Sequence, residues 1–263
     1  MCRVDDLKHD VLAQNNRSAQ RLRRELTAGG TTLVNLLSSP GSGKTQLLEA
    51  ELTHARRGGV PVAAVTADLA TENDAERLAR SGAPVKQAFT DGLCHLEADM
   101  LGRCLTGWLP AHTRVLFVEN VGNLVCPASY DLGESLRIAL CSVTEGEDKP
   151  LKYPSAFGLA HLVVVTKSDI ATAVGFDESA FRANVQQVNP GVEIVRTSAR
   201  TGEGTGELLR RALAVRAGET VHQPVLASGD RTTQPAQPHT HEHAHERGHQ
   251  HDHGTQRHAD AHS

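Results

Sequence analysis

The sequence predicts an α/β domain in which a mainly parallel sheet carries helices on both faces, followed by a disordered His-rich tail. Three observations predict it. Short Val- and Leu-rich runs alternate with helical stretches, a Gly-rich turn sits at the first strand-to-helix junction, and the apolar period stops near residue 217. At 263 residues the chain is long enough to bury one large core. The expected organisation is a helical lead-in over 1–30, a domain over 31–217 and a tail over 218–263.

Residues 11–26 set apolar side chains among Arg, Gln and Asn, a surface-helix pattern that ends at Gly29-Gly30. TLVNLLS then reads as a strand and TQLLEAELTHAR as the helix after it; VPVAAVTA and TENDAERLAR form the next pair. RVLFVEN and ESLRIALCSVTE are further apolar runs. HLVVVTK with ESAFRANVQQV, and VEIVRTS with TGELLRRALAVR, complete the alternation. From Gln223 onward Pro, Thr, Gln, Ser and then His dominate, a composition that cannot offset its own ordering entropy.

Composition narrows the functions. A formal net charge of -4 leaves no broad basic footprint for nucleic acid. The amino terminus has no apolar stretch of signal-peptide or membrane-span length, which predicts a cytoplasmic protein without a membrane span. Cys2, Cys94, Cys104, Cys126 and Cys141 include no CxxC pair and read as reduced thiols, some packed inside and some available to metal.

The stretch LLSSPGSGKTQLLEAEL carries the first chemistry. Pro40, Gly41, Ser42 and Gly43 let backbone amides turn inward at a helix amino terminus, which makes a phosphate cradle. Lys44 is placed to reach the β and γ phosphates and Thr45 to ligate Mg²⁺. Ser38 stands where the general pattern begins with glycine.

Three further elements follow in the order of a guanine-nucleotide switch protein. Glu119 ends the strand RVLFV as a candidate for the Mg²⁺ shell, and Gly122 offers an amide to the γ phosphate. In TKSD, Asp169 suits the N1 and N2 donors of guanine while the Lys167 stem packs on the ring; Thr166 replaces the usual asparagine. TSARTGEG offers amides near Ser198 and Ala199 to the guanine O6. Asp68, after VPVAAVTA, is either a further Mg²⁺ or water-positioning group or a solvated strand-end acid. Lys44, Asp68 and Glu119 are the expected catalytic set.

Metal-binding side chains stand beside these elements. Cys94 and His95 adjoin in TDGLCHLEADM, at the expected start of a helix, and Cys126 follows Gly122 by four residues. Two thiolates and an imidazole suit Zn²⁺ or Ni²⁺ and make an open site, or a shared one if two chains meet there. A purely structural Cys-His pair is the competing reading. The tail adds His239, His241, His243, His245, His249, His251, His253, His258 and His262, which a flexible chain can gather round a cation. His54, His112 and His161 lack clustered partners and read as surface or core residues.

The blocks NLLSSPGSGKT, ADLATENDAERL, DGLCHLEADM, FVENVGNLVCPASYDLGE and EDKPLKYP resemble the HypB family of hydrogenase nickel-incorporation GTPases over most of residues 10–217. The resemblance implies a P-loop NTPase of the SIMIBI class that binds GTP or GDP with Mg²⁺, hydrolyses GTP and dimerises with it. It also implies nickel delivery to [NiFe] hydrogenase, with Cys94, His95 and Cys126 as metal ligands of the GTPase domain. A HypA-type nickel chaperone and a hydrogenase large-subunit precursor are the implied partners. The tail then reads as a nickel buffer. Two alternatives compete with this reading: a urease-type accessory GTPase, against which Ala128 stands where a Cys-Pro-His motif needs histidine, and a metal-storage protein with a vestigial nucleotide site.

Overall fold

The computed structural model describes residues 3–67, 73–90 and 92–228. Seven strands form one sheet: β1 Thr32–Ser38, β2 Val62–Thr66, β3 Val85–Gln87, β4 Val115–Glu119, β5 Leu136–Ser142, β6 Leu162–Thr166 and β7 Ile194–Arg196. The order is β3-β2-β4-β1-β5-β6-β7 and every neighbouring pair is parallel. Helices α1 Arg3–Ala28, α2 Lys44–Arg57, α3 Asn73–Ala79, α4 Ala98–Leu105, α5 Lys149–Lys152, α6 Pro154–Gly158, α7 Glu178–Val188, α8 Glu207–Arg216 and α9 Val225–Ser228 surround it. β1 is the point at which the chain, having built one side of the sheet, later turns to the other. Ligand crevices of open α/β sheets lie at the carboxyl ends of the strands beside such a reversal.

Both faces are covered, so the strands read as continuous apolar runs and every residue of β1, β4 and β5 is buried. The period of two still sorts their side chains. Val34 and Leu36 pack with Leu47, Leu48 and Leu52 of α2 and with Leu208 of α8, whereas Leu33 joins Leu22 and Leu26 of α1 and Leu101 of α4. A third cluster sets Phe157 and Phe181 against β5 and β6.

Three expectations change. Helix α1 extends to both sides of the 11–26 stretch and packs on α4 and β1, so the lead-in belongs to the compact unit. The helix near Cys94 and His95 starts later, at Ala98, because the Ala98 amide donates to Asn15 Oδ1 of α1 at 2.9 Å. The domain also continues past residue 217. Val221 packs against the α2–α8 core, His222 Nε2 pairs with Asn189 Oδ1 at 2.7 Å, and Leu226 of α9 occupies the space that a side chain at Gly158 would need. The compact unit therefore includes the described residues as far as Ser228. Among the described residues, no helix is long and apolar enough to cross a membrane.

Candidate functional site

The phosphate loop leaves β1 and enters α2 through two left-handed glycines, Gly41 with φ 71° and Gly43 with φ 86°. Ser38 fits as a fully buried strand residue whose hydroxyl donates to the Ser39 carbonyl at 3.0 Å. Lys44 Nζ donates to the Asn120 carbonyl at 2.5 Å and lies 3.8 Å from Glu119 Oε1. Thr45 Oγ1 donates to the same Glu119 oxygen at 2.5 Å. Pro40, Ser42 and the rest of the loop line a cleft of ≈ 360 Å³ with Asp74, Arg77, Gly122 and Lys167.

Glu119 is the electrostatic centre of this cleft. Burial pushes its carboxyl up, opposed by the Lys44 ammonium and the Thr45 hydroxyl. Its Oε2 and the Ser42 hydroxyl are buried without a hydrogen-bond partner among the described residues, with the Thr66 hydroxyl close to the same carboxyl. A buried carboxylate with a spare oxygen beside a threonine hydroxyl is a hard-oxygen donor set of the kind Mg²⁺ takes. Asp68 lies outside the described residues. Gly122 touches the loop directly: a Cβ there would sit 3.4 Å from Pro40 Cα and N, so any movement of Pro40 is felt at Gly122.

The expected base pocket, a cavity of ≈ 220 Å³, is lined by Gly43, Gln46, Leu47, Thr166, Lys167, Asp169, Ile170, Thr197, Ala199 and Arg200. The Thr166 hydroxyl donates to the Ser42 carbonyl at 2.5 Å, which ties the end of β6 to the phosphate loop. Lys167, with φ 57°, turns its stem across Gly43 and donates to the Gly41 carbonyl at 2.8 Å. Asp169 accepts from Ser198 Oγ at 2.5 Å and from Arg200 Nε at 2.7 Å, and these two donors hold its carboxyl below the usual range. One expected donor is corrected: the Ser198 amide is spent on the Glu203 carbonyl at 2.9 Å, which closes the turn and leaves Ala199 as the loop's candidate for O6. Arg200 was not expected from the sequence, because only the folded turn carries it to Asp169.

Glu51 was also missed. It is fully buried on α2, and its two oxygens accept from the Gly206 amide at 2.8 Å and the Leu209 amide at 3.0 Å. It thus caps α8, the helix that follows the Ser198–Ala199 turn, and ties the base loop to the phosphate-loop helix. Burial raises its carboxyl to about 7, against the lowering effect of those amides. The folded state therefore holds this proton between pH 4.5 and about 7, whereas the unfolded chain releases it. Stability from this group falls as pH rises through that window, by about 3 kcal/mol in all. Glu51→Gln should remove that part of the slope. Urea midpoints at pH 5 and pH 8 check it, and an unchanged difference between the two would contradict it.

The thiols and the imidazole come together only in part. Cys94 Sγ is 3.8 Å from His95 Nδ1, and the neighbouring Cys126 thiol raises that of Cys94. His95 is stacked on Tyr130 with ring centroids 3.8 Å apart, and its buried Nε2 lies 3.5 Å from Glu97 Oε1. Yet among the described residues no three His, Cys, Asp or Glu side chains are gathered closely enough to enclose an ion. Soft sulfur and nitrogen donors fit Ni²⁺ or Zn²⁺ in kind, while a closed cage needs donors from elsewhere. The four described cysteines are free thiols. His161 is half-buried and held neutral, its imidazole lowered to about 4 by burial. Exposed Phe89, Leu93 and Val125 stand near the ligand positions in sequence. The nine tail histidines and Cys2 lie outside the described residues.

Residues 32–196 match the nucleotide-binding domain of the CobW/HypB/UreG family. The hydrogenase maturation factor HypB of Azotobacter vinelandii is 46% identical over 205 residues, covering 77% of this chain and 67% of that protein. The crystal structure of HypB from Archaeoglobus fulgidus aligns with a TM-score of 0.72 at 36% identity, over 78% of this chain and 100% of that one. HypB from Helicobacter pylori, solved in complex with nickel, aligns with a TM-score of 0.72 at 35% identity over 78% and 96%.

Proposed function

The chain belongs to the CobW/HypB/UreG family and, within it, to the HypB hydrogenase maturation factors, and from this premise we propose that it is a GTP-hydrolysing nickel metallochaperone. It stores nickel and assists its insertion into [NiFe] hydrogenase. The observation that carries the reading is one continuous segment: Glu119 and Gly122 stand against the phosphate loop, and Cys126 lies four residues further on.

Each residue has a task. Pro40, Gly41, Ser42 and Gly43 present backbone to the phosphates, and Lys44 neutralises charge on the β and γ groups. Thr45, Glu119 and Asp68 would hold Mg²⁺, which supplies charge neutralisation on the phosphate oxygens. Asp169 reads the guanine edge, Lys167 covers the ring face, and Ala199 with the Ser198 turn approaches O6. Gly122 senses the γ phosphate through Pro40. The chain works as a GTP-dependent homodimer in which two sets of Cys94, His95 and Cys126 face each other, supplying the donors that one chain lacks. Nickel is the cargo, and Zn²⁺ fits the same donors. A HypA-type chaperone and the hydrogenase large-subunit precursor are the partners, in the cytoplasm.

Residues 230–263 act as the nickel buffer, through imidazoles that coordinate when neutral. A chain ending at Gly229 should lose most bound nickel while keeping its fold and its GTP turnover. Cutting after Val221 is less clean, because it also removes His222 from Asn189 and Leu226 from Gly158. Nickel held by the full chain should fall steeply as pH drops through about 6.5, where free imidazoles protonate. Metal stoichiometry and GTP turnover on both chains test the function together. A full-length protein with no GTP turnover would leave a storage protein instead, and a flat metal response between neutral and mildly acidic pH would point away from histidine.

A further inference from the structure

A line of polar side chains crosses the middle of the sheet, where the core would otherwise be apolar. It starts at the phosphate loop, where Lys44 Nζ donates to the Asn120 carbonyl. The Asn120 side chain donates to Asn35 Oδ1 at 3.3 Å, and Asn35 Nδ2 donates to Glu134 Oε1 at 3.5 Å. Arg137 Nε donates to that same Glu134 oxygen at 2.6 Å. The far end of Arg137 donates to two carbonyls, Ala128 at 3.0 Å and Tyr130 at 3.2 Å. These are the carbonyls of the 3-10 turn Pro127–Ser129 and of the residue that ends it. Cys126 caps that turn, and the Tyr130 ring is the platform under His95.

Asn35 and Asn120 are fully buried, and Glu134 and Arg137 nearly so. Placing such groups in a core costs stability unless each is satisfied, and apolar residues of similar volume often serve stability as well or better. Burial alone would raise the Glu134 carboxyl, but the Arg137 guanidinium and the Leu132 amide overcome it and hold it below the usual range. Glu134 and Arg137 thus form a charged unit fixed to the turn. The two bonds through Asn35 are the longest in the line, so the line parts most easily there.

We propose that Asn120, Asn35, Glu134 and Arg137 are a buried positioning relay that transmits the state of the phosphate loop to the turn holding Cys126 and Tyr130. The inference rests on the reading that Cys94, His95 and Cys126 take up metal. A phosphate that engages Lys44 draws its ammonium from the Asn120 carbonyl. The Asn120 side chain, which also accepts from the Val121 amide at 2.9 Å, shifts with its peptide and alters its hold on Asn35. Glu134 and Arg137 then settle differently beneath the Ala128 and Tyr130 carbonyls. This path reaches the turn from inside the core, separately from the surface path through Gly122.

Hydrogen exchange over residues 126–132 of the metal-free full chain, with saturating GDP or a non-hydrolysable GTP analogue, is the first readout. The second is nickel titration followed by thiolate-to-nickel charge-transfer absorption, to which imidazoles of the tail do not contribute. The unmodified chain should show different exchange in the two states and nickel affinities that differ by about fivefold or more. In Asn35→Ala both differences should shrink clearly, the remainder being what the surface path through Gly122 carries. A variant that keeps both in full overturns the relay, as does an unmodified chain whose exchange is the same in both states. An exchange difference without a charge-transfer band defeats the metal reading while exchange in the variant still judges the relay. Should Asn35→Ala fail to fold, Glu134→Gln keeps the side-chain size, weakens the hold on Arg137 and must show the same loss.

Discussion

Lys44→Ala should lower kcat/KM for GTP by about 10²- to 10³-fold, the range for removing one donor that stabilises developing charge in an enclosed site. The structure adds a reason for the size of the effect. The Lys44 ammonium is the main group opposing the upward push of burial on Glu119, and the other Glu119 oxygen is the one that would be available to Mg²⁺. Without the ammonium the carboxyl rises further, so at a given pH more of it is protonated and less able to hold the ion. Residual turnover of the variant should therefore climb with pH more steeply than that of the unmodified chain. Phosphate release across a pH series checks both effects, with circular dichroism to confirm the fold. Turnover within about threefold of the unmodified chain would place the chemistry elsewhere.

Asp169→Asn should weaken GTP by at least about 10²-fold and improve xanthosine triphosphate, whose 2-position presents an acceptor to the new amide. In the unmodified chain Ser198 and Arg200 keep the Asp169 carboxylate ionised at the edge of the pocket it lines, where it would match the two guanine donors. Asparagine would turn an N–H toward one of these existing donors, so either Arg200 leaves or the amide flips; both outcomes lose the paired acceptors. Competition of GTP, ATP and xanthosine triphosphate against a fluorescent guanine nucleotide checks it. Equal affinity of the unmodified chain for GTP and ATP would remove the assignment.

Much of the candidate nucleotide site was legible because its signals are local. Gly41 and Gly43 must follow a strand and open a helix for their left-handed turns to face a phosphate, and both the turn and its flanking periods lie in one stretch. Glu119 and Asp169 follow apolar strands whose ends, in a parallel sheet, all point to one edge. The expected metal ligands were legible as residue types but not as a cage, since among the described residues they do not close round an ion.

The sequence by itself thus determined the α/β class, the phosphate loop and the strand-end positions of Glu119 and Asp169. Tertiary structure decided the rest: the Thr166 hydroxyl on the Ser42 carbonyl 124 residues away, Glu51 on an amide 155 residues away, and Arg200 on Asp169. It also decided where α4 starts, through Asn15, and the polar line from Lys44 to Tyr130. The physical reason is the strand order. Placing β1 between β4 and β5 makes neighbours of Asn120, Asn35 and Glu134, which stand far apart in the chain. A hydrophobic period reports which face of an element is buried, but not which polar group waits on the element that covers it.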